Sequence, residues 1–227
     1  MLTQQQLKQK AGEYAAQYVQ NGMTIGLGTG STVFFLIQKL AEKVKEGLQF
    51  TAVPTSQQTA ALAKELGITL STLDEVEELA LTIDGADEVD TKLQLIKGGG
   101  GALLQEKIVA AAGKQLIIIT DESKMVKQLG AFPLPVEVIT FGYKQVQRKI
   151  MEAGCEKVVL RLKDGKPLIT DHQHYILDCH YEKIEDAAAL NTWLHAIPGV
   201  VETGLFINMA TKIITGYSDG RIEETKK

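Results

Sequence analysis

The chain lacks the features that mark membrane and secreted proteins. No apolar run approaches the roughly 20 residues of a membrane-spanning helix, and residues 1–20 are polar rather than a basic stretch followed by an apolar one. The only two cysteines, Cys155 and Cys179, form no Cys-x-x-Cys pair, so neither a disulfide framework nor a zinc cluster is indicated. We therefore expect a cytoplasmic protein with reduced, buried thiols.

The chain also lacks an excess of charge of either sign. Lysine and arginine number 24 against 28 aspartates and glutamates, which gives a net charge of -4 over 227 residues. Such a balance provides no long-range attraction for nucleic acid or anionic lipid, although a local basic pocket can still hold a small phosphate. We expect a small-molecule partner, and neither nucleic acid nor a membrane.

Hydrophobic periodicity predicts strands that alternate with helices over the first half of the chain. A capping box at Thr3 opens a helix that ends at Asn21-Gly22, and the short apolar strand 23–27 then leads through a glycine-rich turn into a second helix. Similar pairs follow as far as the strand 116–120. This pattern predicts a mainly parallel, Rossmann-like α/β sheet with helices on both faces. We expect residues 210–217 to return as its edge strand and the charged C-terminal tail to lie in solvent.

A smaller second domain is predicted after Pro133 and Pro135, because two prolines cannot continue a helix. The segments that follow have the order strand, helix, strand, strand, helix, strand, which is the ferredoxin-like α+β arrangement. We therefore predict an α/β catalytic domain over 1–131 and 207–227, and a ferredoxin-like domain over 132–206.

The first turn with chemical potential is Gly26-Leu27-Gly28-Thr29-Gly30-Ser31-Thr32, between a strand and a helix. Its glycines let backbone N–H groups converge, and the helix N-terminus adds partial positive charge, so an anion fits there. The turn is not a dinucleotide fingerprint, because Ser31 stands at the third glycine position, and it has no Walker A ending. The alternative is a plain strand-to-helix turn with Ser31 as N-cap.

The second turn, Asp84-Gly85-Ala86-Asp87-Glu88-Val89-Asp90, is rich in carboxylates and follows an apolar strand. Asp84 and Asp87 can hydrogen-bond sugar hydroxyls or move protons between neighbouring oxygens. A solvated loop and a divalent-metal site are the alternatives. Glu88 and Asp90 are expected to be solvated.

The third turn is Lys97-Gly98-Gly99-Gly100-Gly101, which runs into a helix that contains Glu106. Four consecutive glycines indicate backbone that approaches a ligand or adopts positive φ. Lys97 can anchor an anion, and Glu106, one turn into the helix, can face the same pocket. For Glu106 the alternative is an exposed helix pair with a nearby lysine. Lys124 also follows a strand, and by itself would be a surface lysine.

A metal site at the histidines is disfavoured. His172, His174, Cys179 and His180 lie in a predicted hairpin without a recognised ligand spacing. We therefore predict no metal site.

Taken together, four segments resemble ribose-5-phosphate isomerases of the A type. They are Gly28–Thr32, Asp84–Glu88, Lys97–Gly100 and Glu106–Ile108, and both their order and their spacing match. The resemblance extends through residues 132–138 and 197–201, and so covers nearly the whole chain. One departure is Gly101, where alanine is familiar in the family.

The resemblance implies an aldose–ketose isomerase that interconverts D-ribose 5-phosphate and D-ribulose 5-phosphate through an enediol intermediate, in the non-oxidative pentose phosphate pathway. It implies no metal or other cofactor, and a homodimer or larger homo-oligomer. Glu106 is then the proton acceptor, and Asp84, Asp87 and Lys97 are the other catalytic candidates. The substrate-binding residues it implies are Thr29, Gly30, Ser31, Thr32, Asp84, Gly85, Ala86, Asp87, Lys97, Gly98, Gly99, Gly100 and Lys124, with Lys8 as a further phosphate contact.

Two other functions fit the same turns. One is a sugar-phosphate sensing module that binds the ligand without turnover. The other is a different enzyme on a related fold, such as an amino-sugar phosphate deaminase or a coenzyme A transferase.

Overall fold

A computed structural model describes residues 2–227. The helices in this range are α1 Gln4–Ala15, α2 Ser31–Lys45, α3 Gln57–Glu65, α4 Leu103–Ala112, α5 Tyr143–Glu152 and α6 Ala187–His195. The strands are β1 Thr24–Leu27, β2 Thr51–Pro54, β3 Thr69–Leu70, β4 Leu81–Asp84, β5 Glu88–Val89, β6 Leu95–Ile96, β7 Leu116–Asp121, β8 Leu134–Val138, β9 Lys157–Leu160, β10 Leu162–Lys163, β11 Lys166–Pro167, β12 Tyr175–His180, β13 Val200–Thr203, β14 Leu205–Phe206, β15 Lys212–Gly216 and β16 Ile222–Lys226. Within residues 2–227, no helix combines the length and apolar character needed to cross a membrane.

The chain divides into two compact units. The first unit contains the described residues through Ala86, together with Gln105–Lys124 and Met209–Lys227. The second unit contains Asp87–Leu104 and Met125–Asn208. The helix α4 begins in the second unit and continues in the first.

The first unit is built on a seven-stranded sheet of order β16-β15-β7-β4-β1-β2-β3. All neighbouring strands are parallel except β15 and β16. Ile25 and Leu27 pack into the core that α1 and α2 cover, whereas Val53 on the opposite face packs against Val109 of α4. The predicted mainly parallel sheet with helices on both faces is therefore confirmed.

The centre of this sheet places three loops side by side. Strand β4 lies between β1 and β7 and is parallel to both. The loops that follow these strands, at residues 28–30, 85–86 and 122–124, therefore start from the same edge of the sheet. The chain order also reverses between β1 and β4, which is the position where ligands bind in open α/β sheets.

The C-terminal residues do not form the solvated tail that the sequence predicts. They form β16, which pairs antiparallel with β15, so β16 and not β15 is the edge strand. Glu224 fixes β16 in place, because its carboxylate accepts hydrogen bonds from the Tyr18 hydroxyl and, at 2.9 Å, from the Tyr14 hydroxyl. The Lys212 Nζ atom lies 3.0 Å from the other Glu224 oxygen.

We expect Glu224→Gln to lower the stability of the protein at neutral pH. The hydrogen bond from Tyr18, followed by that from Lys212, lowers the pKa of Glu224 to about 2. The charged carboxylate therefore stabilises the folded protein at pH values above the ordinary pKa of a glutamate. This stabilisation is lost as the pH falls through the lowered pKa of about 2. Lost hydrogen bonds to a charged group cost about 1–3 kcal/mol, which corresponds to a melting temperature lower by about 2–10 °C for a chain of this size.

The measurement is thermal unfolding of both proteins between pH 7 and pH 2. The difference in melting temperature between the wild type and Glu224→Gln should narrow as the pH falls, because the wild-type carboxylate becomes protonated. Glu223→Gln is the matched control on the same strand, because Glu223 only pairs with Arg221 at the surface and such pairs contribute little. A pH-independent gap would contradict the explanation.

The second unit contains an antiparallel sheet of order β13-β8-β12-β9. Helix α5 follows β8 and α6 follows β12, which gives the ferredoxin-like strand–helix–strand–strand–helix–strand order that the sequence predicts. Val136 and Leu177 from the sheet and Ile150 and Leu194 from the helices belong to one buried cluster. The helices thus cover one face of this sheet.

The predicted strand 200–206 is interrupted at Gly204. Its first part, β13, pairs with β8, whereas its second part, β14, joins β6 and β5 in a separate three-stranded sheet. Glycine is required where the chain passes from one sheet to the other, because a Cβ atom at position 204 would lie only 2.3 Å from the carbonyl oxygen of Lys97. Its N–H group donates to the Pro135 oxygen at 2.7 Å, and its own oxygen accepts from the Lys97 N–H group at 2.9 Å.

Candidate active site

In the first unit, Asp84 ties the loops after β1 and β4 to each other. Its side chain is fully buried, and Oδ1 accepts the N–H groups of Thr29 at 3.0 Å and Gly85 at 2.7 Å. Only glycine fits at position 28, because a Cβ atom there would lie 2.2 Å from Asp84 Oδ1. These contacts fix the orientation of the Asp84 carboxylate at the carboxyl end of the central strand β4.

The N-terminus of α2 has no side-chain cap. Its N-cap residue is Gly30, with φ of 120°, rather than Ser31, so the alternative that makes Ser31 the cap is wrong. The reason is that the helix begins one residue earlier than that alternative requires. The Ser31 hydroxyl instead accepts a hydrogen bond from Lys8 Nζ at 3.0 Å. An uncapped helix start beside a lysine favours an anion such as phosphate.

The Thr29 hydroxyl lies in a group of buried hydroxyls. Its Oγ1 atom is 2.7 Å from Thr55, 2.8 Å from Ser56 and 3.0 Å from Thr59. The Thr59 hydroxyl also donates to the Gly28 oxygen at 2.9 Å. These three residues therefore support the first loop, although no motif points to them. Their only signal in the sequence is that they follow a predicted strand.

Glu106 is withdrawn from solvent on α4, with 5% of its surface exposed. It precedes Val109 by three residues, so both lie on the helix face that packs on the sheet. That packing is close, because a Cβ atom at Gly26 would lie 2.6 Å from Val109. The neighbouring Gln105 also donates to the Pro54 oxygen at 2.9 Å. The alternative of an exposed helix pair for Glu106 is therefore wrong.

Lys124 ends a short 3₁₀ turn, Glu122–Lys124, that follows β7. The turn is held by Asp121, which is buried and accepts the Ser123 N–H group at 3.0 Å. Lys124 itself is half-buried. Asp121 is thus a supporting residue that precedes the 3₁₀ turn.

In the second unit, Asp87 contacts the glycine-rich turn. Its Oδ2 atom accepts the N–H group of Gly99 at 2.8 Å. A Cβ atom at Gly99 would lie 2.6 Å from Asp87 Oδ1, so a side chain there would displace the carboxylate. Gly98 and Gly101 have φ of 106° and 84°, respectively, which glycine adopts without strain. Glycine at position 101, where alanine is familiar in the family, therefore avoids the backbone strain that a side chain would bring at this positive φ.

Lys97 is almost completely buried, with 2% of its surface exposed. Its Nζ atom lies 5.4 Å from the centre of the Phe206 ring, within the range of a cation–π interaction. Strand β14, which carries Phe206, pairs with β6 directly before Lys97. The interruption at Gly204 thus places an aromatic face beside the lysine.

Glu88 is not solvated, contrary to the sequence prediction. It is 4% exposed, and its carboxylate accepts the N–H groups of Gly130 at 2.7 Å and Phe132 at 2.6 Å. The prediction failed because both partners lie more than 40 residues away. Asp90 is half-buried and accepts the N–H groups of Lys92 and Gln94, each at 2.8 Å, which closes the turn between β5 and β6.

His174 and the two cysteines of the second unit have protein partners. His174 Nδ1 lies 3.0 Å from Glu137, and both Cys155 and Cys179 are buried free thiols. No group of three His, Cys, Asp or Glu side chains that could hold a metal ion occurs within residues 2–227.

The sequence and the fold both match a known protein family. The model of the family "Ribose 5-phosphate isomerase A (phosphoriboisomerase A)" matches residues 51–220. The chain belongs to this family. A ribose-5-phosphate isomerase A from Bacillus mycoides (strain KBAB4) is 59% identical over 215 residues, which cover 94% of this chain and 97% of the relative. The protein of the same name from Synechococcus sp. (strain JA-3-3Ab) is 52% identical and covers 97% of both chains.

Solved structures of ribose 5-phosphate isomerases also match over the whole chain. The Methanocaldococcus jannaschii enzyme has a TM-score of 0.93 and 43% identity, covering 99% of this chain and 100% of its own. The Plasmodium falciparum enzyme has a TM-score of 0.95 and 39% identity, covering 98% of this chain and 99% of its own. A D-ribose-5-phosphate isomerase in complex with phospho-erythronic acid has a TM-score of 0.95 and 36% identity, covering 100% of both chains.

Membership of the ribose 5-phosphate isomerase A family confirms the enzyme class predicted from the sequence. The chain is a sugar-phosphate isomerase, and its family interconverts ribose 5-phosphate and ribulose 5-phosphate, a reaction of the pentose phosphate pathway. These comparisons favour an isomerase over a sensing module, a deaminase or a coenzyme A transferase.

Proposed function

We propose that this chain interconverts D-ribose 5-phosphate and D-ribulose 5-phosphate through an enediol, without a metal or another cofactor. The observation that supports it most is the burial of Glu106. A carboxylate on the sheet-facing side of α4 is shielded from water, which favours its use as a base. The family resemblance points to the same residue as the proton acceptor.

Glu106 moves the proton between the two carbons. It takes the proton from C2 of the open-chain aldose, and the electrons of that bond form the double bond between C1 and C2. The carbonyl oxygen O1 gains a proton, which completes the enediol. The O2 hydroxyl then loses its proton as C1 receives one from Glu106, and ribulose 5-phosphate results.

The other charged groups act on the oxygens. Asp84 and Asp87 assist opening of the sugar ring and exchange protons at O1 and O2, because backbone N–H groups hold each carboxylate in a fixed orientation. Lys97 stabilises the negative charge that develops on the oxygen in the transition state. Burial strengthens this interaction, because little water screens the charge.

The phosphate group binds at the first loop. The uncapped start of α2 offers backbone N–H groups, and Ser31, Thr32 and Lys8 add hydroxyl and ammonium donors. Thr29 contributes by holding the loop in shape, since its N–H group donates to Asp84 and its hydroxyl is held by the Thr55 group. Anchoring the phosphate converts binding energy into orientation of C1 and C2. The other substrate contacts that we propose are residues 85–86, residues 98–100 and Lys124.

The neighbour that was solved with phospho-erythronic acid supports this assignment. By its name, that ligand carries a phosphate and a carboxylic acid. A carboxylate resembles the planar, negatively charged enediolate, so a protein that stabilises the intermediate should bind such an acid.

The experiment that tests this function is an assay of ketopentose formation from ribose 5-phosphate with the purified protein. We expect the same rate before and after treatment with EDTA. Loss of activity with EDTA and its recovery with a divalent cation would contradict the metal-free mechanism. Turnover of a hexosamine phosphate but not of ribose 5-phosphate would contradict the substrate.

We further propose that the enzyme works in the cytoplasm as a homodimer or larger homo-oligomer, as the family resemblance implies. Two buried free thiols fit a reducing compartment. Light scattering on the purified protein measures the assembly, and a monomer at micromolar concentration would contradict it.

A further inference from the structure

We propose that Arg161 is a positioning residue for the isomerisation, because it holds the peptide unit that orients Asp87. This inference rests on the proposed role of Asp87 as a catalytic residue. All the groups involved lie in the second unit, and Arg161 belongs to none of the four segments that carry the family resemblance.

The side chain of Arg161 is held from two sides. It follows β9, and its guanidinium forms a two-pronged ion pair with Asp178 on the neighbouring strand β12, with Nε 3.0 Å from Oδ2 and Nη2 bound to Oδ1. The backbone is fixed as well, because its N–H group donates to the Ile176 oxygen and its oxygen accepts from Leu168, both at 2.9 Å. The guanidinium is therefore presented by a rigid part of the sheet.

The remaining nitrogen of the guanidinium reaches the glycine-rich turn. Nη1 donates to the Gly98 oxygen at 2.6 Å and also lies 3.2 Å from the Gly99 oxygen. The Gly98 oxygen also accepts the Gly101 N–H group at 3.0 Å, but that bond lies within the turn itself, whose glycines have the widest conformational freedom. Arg161 thus holds the turn from a neighbouring part of the unit.

One peptide unit connects Arg161 to Asp87. The Gly98 carbonyl accepts from Arg161, and the N–H group of the same peptide, that of Gly99, donates to Asp87 Oδ2 at 2.8 Å. In a trans peptide these two groups point in opposite directions, so fixing the carbonyl also fixes the N–H group. A positive charge at the carbonyl also polarises the peptide and strengthens its N–H donor. Arg161 therefore acts on Asp87 through the peptide, without touching it.

Arginine suits this position better than lysine does. The planar guanidinium offers five N–H donors in a fixed arrangement, which allows it to bind the Asp178 carboxylate and the turn at once. A lysine ammonium cannot span both groups. We therefore expect Arg161→Lys to have a defect similar to that of Arg161→Gln.

The test is a double-mutant cycle between Arg161 and Asp87, read from steady-state kinetics with ribose 5-phosphate. We expect Arg161→Gln to lower kcat/KM by about 10- to 100-fold, mainly through kcat, as a misplaced catalytic group does. In an Asp87→Asn background the same change should cost less than about threefold, because the group that it positions has already lost its function. Independent, fully multiplicative losses would overturn the proposal.

Two further variants separate positioning from folding. Arg161→Gln leaves Asp178 without its partner, so Arg161→Gln/Asp178→Asn removes both charges together. This pair should melt close to the wild type and still show the kinetic loss. Wild-type activity in the pair would overturn the proposal. Arg148→Gln, at an exposed arginine of α5, is the matched control and should leave kcat and KM unchanged.

The same cycle keeps this inference distinct from the proposed function. If Asp87→Asn alone keeps full activity, the role of Asp87 fails and the proposal for Arg161 fails with it. If Asp87→Asn is impaired and Arg161→Gln is not, only the positioning role is overturned.

Discussion

Replacing Glu106 with glutamine is expected to lower kcat by about 10³-fold while KM changes only a few fold, because general-base catalysis contributes roughly 10²–10⁴ to such rates. Glutamine keeps the size of the side chain but cannot accept the proton from C2. Binding of the phosphate depends on other residues, so the loss should appear in the chemical step. Stopped or coupled assays of ketopentose formation measure both constants.

Glu65→Gln serves as the matched control for this variant. Glu65 lies at the exposed end of α3 in the same unit, so the same change of charge should leave kcat and KM unaltered. Turnover by Glu106→Gln within about tenfold of the wild type would reject the assigned base, because that loss is smaller than general-base catalysis supplies.

Lys97→Met is expected to lower kcat by about 10²- to 10³-fold, which is the typical cost of removing one group that stabilises a developing oxyanion. Methionine matches the length of lysine and fits a buried position, but it carries no charge. The Phe206 ring can still pack against it. The variant should therefore fold, and its melting temperature should stay near that of the wild type.

The stability measurement decides how a loss of activity at position 97 is interpreted. An inactive Lys97→Met protein that melts like the wild type supports the electrostatic role. Activity within about threefold would contradict it, since a group that stabilises the transition state cannot be removed at so small a cost. Lys92→Met, at an exposed lysine of the same unit, is the control.

The parallel sheet and the position of its loops could be predicted because they depend on local patterns. Strand β1, the glycine turn and α2 are consecutive in the chain, and their periodicities differ clearly. The loop at Asp84 follows an apolar strand in the same way. Placing the loops at the carboxyl ends of parallel strands then required only the general rule for such sheets.

The elements that the sequence could not predict depend on distant partners. The charged end of the chain forms β16 because Glu224 meets Tyr18, 206 residues away. Glu88 is buried because its carboxylate caps two N–H groups at Gly130 and Phe132. Arg161 shows no local sign of its contact with Gly98, 63 residues earlier. Charge alone predicts exposure at all three positions, and specific hydrogen bonds override it.

The roles assigned to individual residues stay predictions. So do the domain ranges 1–131 with 207–227 and 132–206, the cytoplasmic location and the homo-oligomer. The variants at Glu106, Lys97 and Arg161 address the residue roles directly.

The most direct test of the central claim is isomerisation in D₂O followed by NMR of both sugars. While the enediol exists the transferred proton resides on the Glu106 carboxyl group, where it can exchange with solvent, so deuterium should appear at C1 of ribulose 5-phosphate and at C2 of ribose 5-phosphate. The exchange should be lost in Glu106→Gln. Equilibration of the two sugars without deuterium at either carbon, at an undiminished rate in Glu106→Gln, would contradict an enediol formed by Glu106.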